Sequence, residues 1–281
     1  MTPIDTVGAA LAACRGRIDR VDARILLAEV IGRPASFLIA HPEAALTAAE
    51  QQRFSDWLTR REAGEPVAYL IGTREFYGRQ FDVSPAVLIP RPETEGIVEI
   101  AREAFGLPPA AILDLGTGSG ALAVTLALCW PQAAVTAVDR SSAALAVAKR
   151  NAQRLGAAVS FLESDWFGAL PAAARFDLIV SNPPYVAEVD PHLSEGDVRF
   201  EPASALAAGA DGLDDIRRIA CDAPRYLRRG GCILIEHGYD QSDAVQAILS
   251  HAGFCRVRSW PDLAGILRVS GGWLDAAADE A

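Results

Sequence analysis

Apolar positions along the chain change period from region to region, and each change predicts a different kind of element. From Ile18 to Val30 they recur at three- and four-residue spacing, the mark of an amphipathic helix, and the run is stopped by Gly32 and Pro34. A second helix fits Thr47 to Arg61, with Thr47 as N-cap and Glu50 three residues later completing a capping box. Between them Ser36-Phe37-Leu38-Ile39 reads as a short apolar turn. Residues 1–63 are therefore expected to form a small helical bundle that recognises or docks a partner.

From Gly64 to Arg91 the pattern turns to aromatic and β-branched residues. Val67 to Gly72 leads into Glu75 to Val83, where such residues flank Gly78, a hairpin signal. Val87-Leu88-Ile89 reads as a strand ended by Pro90 and Pro92, with a helix starting near Glu93. A linker carrying a β-hairpin over 64–91 accounts for this, although a bare linker would not need Phe76, Tyr77 or the rigid Pro90-Arg91-Pro92.

Residues 92–281 alternate apolar runs with helical stretches. Strands are expected at Ala110–Leu115, Ala134–Val138, Val159–Leu162, Phe176–Val180 and Cys232–Glu236, and helices at Ala121–Cys129, Ser141–Leu155, Leu213–Leu227 and Ser242–Ala252. That alternation implies an α/β fold with a mostly parallel sheet covered on both faces. Two last strands, near Phe254–Arg258 and Ile266–Val269, lie too close for a helical crossover and should pair antiparallel. The alanine-rich acidic end after Trp273 is expected to fray.

Composition narrows the function classes. A chain of 281 residues, 51% hydrophobic, has material for one large domain and a smaller one. No apolar run approaches the roughly 20 residues needed to cross a bilayer, which makes a soluble, cytoplasmic protein the expectation. The net charge of -10 argues against broad adhesion to nucleic acid or anionic membrane. The five cysteines are scattered, odd in number and without C-x-x-C pairing, so they read as buried thiols and as neither a disulfide frame nor a metal site. Leu11-Ala12-Ala13-Cys14 resembles a lipoprotein cleavage site only superficially, since Asp5 precedes it, and is read as helix.

Candidate chemistry lies at strand ends. Gly116-Thr117-Gly118-Ser119-Gly120 sits between a strand and a helix, where backbone can approach a ligand and free N–H groups are available. Asp139 ends the next strand, where a carboxylate can accept from both hydroxyls of a ribose. Asp165 and Trp166 follow the third, an acceptor for an adenine amino group beside an aromatic face. Ser181-Asn182-Pro183-Pro184-Tyr185 follows the fourth. Its prolines cannot donate backbone hydrogen bonds, so the loop presents carbonyls, an amide and an aromatic ring to a flat NH2-bearing group, amide or adenine. The glycine loop alone also fits the loose G-x-G-x-x-A pattern of a nicotinamide-dependent oxidoreductase, which would not call for the Asn-Pro-Pro-Tyr element.

These residues, with Glu65-Pro66-Val67-Ala68-Tyr69-Leu70-Ile71-Gly72, Leu88-Ile89-Pro90-Arg91-Pro92-Glu93-Thr94-Glu95, Asp114-Leu115 and Glu236-His237-Gly238-Tyr239, resemble the glutamine methyltransferases of class I peptide-chain release factors, the PrmC/HemK family, over almost the whole chain. The glycine loop is common to S-adenosylmethionine methyltransferases and Asn-Pro-Pro-Tyr to amino-methylating enzymes generally; the Ile-Pro-Arg-Pro-Glu-Thr-Glu run, the helical region and the hairpin point to the release-factor branch. The chain departs from the family at Asp262-Leu263-Ala264-Gly265, where apolar Ile266 and Leu267 replace a more frequent arginine–aspartate pair, a detail of the final strand.

The resemblance implies a seven-stranded Rossmann-like domain over 92–281 and methylation of the glutamine amide nitrogen in a Gly-Gly-Gln loop. By it Gly116, Thr117, Gly118, Ser119 and Gly120 hold the methionine part of S-adenosylmethionine, Asp139 the ribose, and Asp165 with Trp166 the adenine. Asn182, Pro183 and Tyr185 are the catalytic residues, Asn182 reaching the cofactor too, and with Pro184 they hold the acceptor glutamine. Phe76 and Arg91 wall the pocket, or Arg91 serves a nearby carboxylate. The partner implied is a class I release factor, with no nucleic acid. Two rivals stay open: an adenine amino-methyltransferase acting on DNA or RNA, and a non-catalytic module that binds a nucleotide or partner.

Overall fold

A computed structural model describes residues 4–275, so the expected fraying end from residue 276 lies outside the described residues. The chain divides into two compact units, Met1–Thr73 and Arg74–Ala281. Among the described residues no helix is long and apolar enough to cross a membrane.

Among the described residues the first unit contains five helices: α1 (Val7–Ala13), α2 (Arg20–Ile31), α3 (Ala35–Ala40), α4 (Ala48–Glu62) and α5 (Val67–Ile71). Local chemistry sets their ends. The Asp19 carboxylate accepts from the Val21 N–H at the start of α2, Gly32 closes it in the left-handed region, and Thr47 with Glu50 forms the full capping box of α4. Leu26 and Leu27 of α2 pack with Leu38, Phe54 and Trp57 in one core. Two readings need correction. Ser36 to Ile39 is no turn but the middle of α3, because extended Pro34 starts a helix that buries Leu38. Val67 to Ile71 is helical and does not lead extended into the hairpin.

The hairpin strands are β1 (Thr73–Phe76) and β2 (Arg79–Asp82), turned at Tyr77 and Gly78, both at positive φ. Phe76 and Phe81 are fully buried and meet edge to face at 6.0 Å. Val87–Ile89, expected as a strand, pairs with no strand: the Ile89 N–H donates to the Glu201 carboxylate at 3.0 Å and the Val87 N–H to the Ser84 carbonyl at 3.0 Å. Helix α6 (Glu95–Ala104) follows a short 3-10 turn at Pro92–Thr94.

The large sheet has strands β3 (Ala111–Leu115), β4 (Ala134–Asp139), β5 (Val159–Glu163), β6 (Phe176–Ser181), β7 (Leu227–Glu236), β8 (Cys255–Pro261) and β9 (Leu267–Trp273), in the order β5-β4-β3-β6-β7-β9-β8. The first five run parallel, and β9 lies antiparallel to both β7 and β8. Helices α7 (Ala121–Cys129), α8 (Ser142–Leu155), α9 (Asp214–Asp222) and α10 (Ser242–His251) cover it, with one core under α6 and α7 and a second under α9 and α10. Strand β7 starts before the expected Cys232, so Gly230 and Gly231 lie inside it. A Cβ on Gly231 would stand 2.8 Å from the Arg228 carbonyl oxygen and 3.1 Å from that of Asp177, so the irregular pairing there needs glycine. The cysteines are free thiols, but only Cys14 and Cys232 are buried; Cys129 and Cys255 are half-buried and Cys221 is exposed.

Strand order reverses beside β3, whose neighbours β4 and β6 are reached by connections on opposite sides. Ligands of open α/β sheets bind at the carboxyl ends of such strands. The glycine loop, Asp139 and Asn182 leave β3, β4 and β6 at that end.

Candidate functional site

A cleft of about 290 Å³ opens at this reversal point. Its first half is made by the loop between β3 and α7. Gly116, Gly118 and Gly120 all have positive φ, and a Cβ on Gly120 would press on the Ala148 backbone at 3.2 Å. The loop is tied down by its neighbours: the Gly116 and Thr117 N–H groups donate to the Val138 carbonyl at 2.9 Å, and Asn151 of α8 donates to the Ser119 carbonyl at 2.9 Å. Asn151 also exchanges two hydrogen bonds with the Asp82 backbone, so one buried amide joins hairpin to glycine loop.

Asp139 is fixed at both oxygens, Oδ2 accepting from the Gly118 N–H and Oδ1 from the Ser141 N–H, each at 2.9 Å. Each oxygen keeps a second lone pair for a ligand hydroxyl. Beneath it Asp114 is buried; its Oδ2 accepts from the Thr117 hydroxyl at 2.6 Å and the Ala123 N–H at 3.2 Å, while burial pushes its pKa up to about 7. Trp166, at φ 50, sets its ring 3.3 Å from the Cβ position of Gly116 and donates through Nε1 to Asp215 at 3.1 Å. Asp165 is exposed and pairs with Arg218 at 2.7 Å.

The second half starts where β6 ends. Asn182 donates through Nδ2 to the Thr94 hydroxyl at 3.0 Å, and its Oδ1 is buried without a hydrogen-bond partner. Tyr185 donates to Glu236 Oε1 at 3.3 Å; the other carboxylate oxygen, Oε2, is likewise buried and unpartnered. Burial raises the Glu236 pKa to about 7, and the Thr94 and Tyr185 hydroxyls pull it the other way. Burial also pushes the Tyr185 hydroxyl up. The Tyr185 carbonyl accepts from Gln241 Nε2 at 3.0 Å, which holds the loop's far end.

Of the residues singled out in the sequence, Phe76, Arg91, Gly116, Thr117, Gly118, Ser119, Asp139, Asp165, Trp166, Asn182 and Pro184 line the cleft. Gly120, Pro183 and Tyr185 are not among its lining residues. Tyr185 instead lines a second cavity of about 180 Å³, which shares Leu88, Arg91, Asn182 and Ala205 with the first. Arg91 does both things considered for it: it lines the cleft and pairs with the buried Glu201, whose other oxygen holds the Ile89 N–H.

Thr94, Asp114, Glu201 and Glu236 were given no role from sequence. Two carried a signal: Asp114 and Glu236 are acids embedded in the apolar strand runs Ile112-Leu113-Asp114-Leu115 and Ile233-Leu234-Ile235-Glu236. Thr94 and Glu201 sit in polar stretches and carried none.

Comparison with known proteins adds the following. The PrmC N-terminal domain matches residues 5–72 and the methyltransferase small domain residues 100–203. A release factor glutamine methyltransferase of Bordetella pertussis is 53% identical over 92% of this chain and 96% of its own length. One from Pseudomonas aeruginosa is 50% identical over 90% and 92%. Among solved structures, a methyltransferase from Pyrococcus furiosus superposes with a TM-score of 0.54 at 18% identity, over 79% of this chain and all of that one, a likeness of fold.

Proposed function

The chain belongs to the release factor glutamine methyltransferases, and from that premise we propose that its cleft moves a methyl group from S-adenosylmethionine to the side-chain amide nitrogen of a release-factor glutamine, the one in the Gly-Gly-Gln loop of class I factors. The observation that carries this reading is Asn182 Oδ1, a buried acceptor with no partner at the junction of the two cavities. A buried acceptor left alone costs about 1–3 kcal/mol, and an amide N–H of an incoming glutamine is a donor that removes that cost.

The first half fits S-adenosylmethionine. Backbone free of Cβ atoms at Gly116 and Gly118 admits the methionine part, the Asp139 carboxylate is preset for two ribose hydroxyls, and Trp166 offers an aromatic face to the base. When bound, the cofactor supplies an electrophilic methyl on a sulfonium sulfur.

The chain's own residues deal with the poor nucleophile. A carboxamide nitrogen has its lone pair delocalised into its carbonyl. Asn182 Oδ1 and the Pro183 carbonyl are acceptors for the two amide protons; holding both orients the nitrogen and favours its pyramidal form as the new bond grows. Positioning and electrostatics of this kind supply several kcal/mol. No base is needed before transfer, because the nitrogen turns acidic only as it gains the methyl group. Tyr185 and Arg91 wall the adjoining cavity, where the acceptor side chain enters.

The test is incubation of the full chain with labelled S-adenosylmethionine and either a class I release factor or nucleic acid, followed by mass measurement of the tryptic peptide that carries the loop. One methyl on the glutamine is expected. Label entering nucleic acid alone overturns the reading.

A further inference from the structure

Two prolines leave the acceptor loop unable to hold itself, since neither Pro183 nor Pro184 has an N–H to donate. Its near end is fixed by Ser181, whose hydroxyl donates to the Leu115 carbonyl at 2.9 Å. Its far end is fixed by Gln241, the residue before α10. Gln241 Nε2 donates to the Tyr185 carbonyl at 3.0 Å and to the Asp211 carbonyl, in the turn before α9, at 3.2 Å. Its Oε1 accepts the Gly238 N–H, just beyond β7, at 2.8 Å. One side-chain amide thus joins the segments that follow β6 and β7 to the turn that precedes α9.

The surroundings are shaped for this side chain. A Cβ on Gly238 would stand 2.9 Å from Gln241 Oε1. One on Gly212, at φ 74, would stand 2.9 Å from Gln241 Nε2 and overlap the Tyr185 carbonyl oxygen. Glycine is therefore needed on both sides of the amide. The partners also fix which way round it sits: turned over, its oxygen would face two carbonyls and its NH2 an N–H group. The Tyr185 hydroxyl adds only a 3.3 Å contact with Glu236, so the carbonyl bond to Gln241 is the shorter hold on that residue.

We propose that Gln241 is a positioning residue for methyl transfer: through the Tyr185 carbonyl it sets the course of the loop from Asn182 to Tyr185, and with it the Asn182 Oδ1 and Pro183 carbonyl that take the acceptor amide. The inference rests on the glutamine-methylating reading above. Gln241 is not among the lining residues of either cavity, so its effect reaches the reaction through the loop. Freed at its far end, the loop pivots on Ser181, and the two acceptors drift from the positions that aim the amide nitrogen at the methyl group. A misplacement of about 1 Å costs up to about 10²-fold in rate. The glycine loop is anchored by Val138, Asn151 and Asp139 instead, so the cofactor half keeps its shape.

The test compares full chains of wild type, Gln241→Glu, which keeps the shape and loses both N–H donors when ionised, and Gln241→Met, which keeps the length and loses the amide. Turnover on a class I release factor is measured at saturating cofactor, and S-adenosylhomocysteine affinity by calorimetry. Both variants are expected to lower kcat about 10- to 10²-fold while cofactor affinity holds. Loop placement is read separately by ¹⁵N labelling of asparagine, since the chain's two asparagines are Asn151, in the cofactor half, and Asn182. In both variants the Asn182 side-chain resonance moves and that of Asn151 does not. Wild-type turnover in both variants, an Asn182 resonance that stays put, or an equal loss of cofactor affinity overturns the proposal. Should wild type methylate no release factor while the Asn182 resonance still answers to Gln241, the functional reading fails and the hold on the loop stands. If Gln241→Glu does not fold, Gln241→Met decides; failure of both to fold makes Gln241 a support of the fold and overturns the proposal.

Discussion

The two halves of the cleft differ in what their polar atoms touch. In the glycine-loop half they are satisfied by the protein: both Asp139 oxygens accept backbone N–H groups, Asp114 holds Thr117 and Ala123, and the loop's first amides close on the Val138 carbonyl. In the half around Asn182 two buried oxygens, Asn182 Oδ1 and Glu236 Oε2, have no hydrogen-bond partner. Backbone-made sites hold their shape without a ligand, whereas unpaired buried oxygens destabilise the fold until something donates to them. One half is thus preformed, and the other keeps acceptors open for a donor.

Asn182→Ala should strain that contrast most. Turnover is expected to fall about 10²- to 10³-fold, the usual loss for one contact made to developing charge. Binding of S-adenosylhomocysteine, followed by calorimetry, should hardly change, because the glycine loop takes none of its anchors from Asn182. Equal loss of both would mean that the halves are one unit.

Next in size is the effect of Glu236→Gln on stability. Burial raises the Glu236 pKa from 4.5 to about 7, so the folded chain binds this proton more tightly than the unfolded one does. Its stabilising contribution is complete below about pH 4.5 and is lost as the pH rises through about 7. Gln does not titrate. The variant should gain on wild type across that window by up to about 3 kcal/mol, read from urea midpoints at matched pH, and the gain should level off above it. Asp114, raised to about 7 by the same cause, is present in both chains and cancels in the difference. A variant steadier above neutrality and yet slower would make the acceptor half a place where stability is given up for orientation. No widening of the gap would show Glu236 ionised at no cost.

How much of this was legible in the sequence follows from the distance over which each feature is decided. Helix α7, at Ala121–Cys129, and the Thr47–Glu50 cap were read to the residue, because periodicity and capping act within four positions. The seven-stranded sheet with its antiparallel end was expected from the alternation and from family likeness. Val87–Ile89 misled because it is apolar like a strand while its N–H groups go to Ser84 and to Glu201, 112 residues on from Ile89. The strand expected at Cys232–Glu236 starts at Leu227 and takes in Gly231, whose Cβ would meet the Asp177 carbonyl of another strand as well as that of Arg228. The candidate site divides likewise. Strand-end residues such as Asp139 and Asn182 announce themselves; the Thr94 hydroxyl, 88 positions before the Asn182 amide that it holds, does not.

Asp139→Asn probes the preformed half with a smaller change. The amide oxygen can still accept one of the two backbone N–H groups, so the loop should keep its form, but the negative charge is gone. Hydrogen bonds to a charged group contribute about 1.5–3 kcal/mol. Cofactor affinity should weaken about tenfold, with kcat at saturating cofactor near wild type. A fall in kcat of the same size would show that the glycine-loop half helps orient the acceptor.

Tyr185→Phe carries the smallest expected effect and the finest distinction. The hydroxyl reaches Glu236 Oε1 at 3.3 Å, long for an O–H donor, so its loss should cost about 0.5–1 kcal/mol, roughly a two- to fivefold drop in turnover. The ring remains to line the smaller cavity. The informative readout is the pH profile. Tyr185 donates to the carboxylate and lowers the Glu236 pKa; without it Glu236 holds its proton to higher pH, and the acid limb of kcat should move upward. A shifted limb with a modest loss of rate would tie the ionisation of Glu236 to turnover through its contact with Tyr185. A loss as large as that of Asn182→Ala would instead make the Tyr185 hydroxyl a direct partner of the acceptor. An unmoved limb with the same modest loss would detach Glu236 from the pH dependence of turnover.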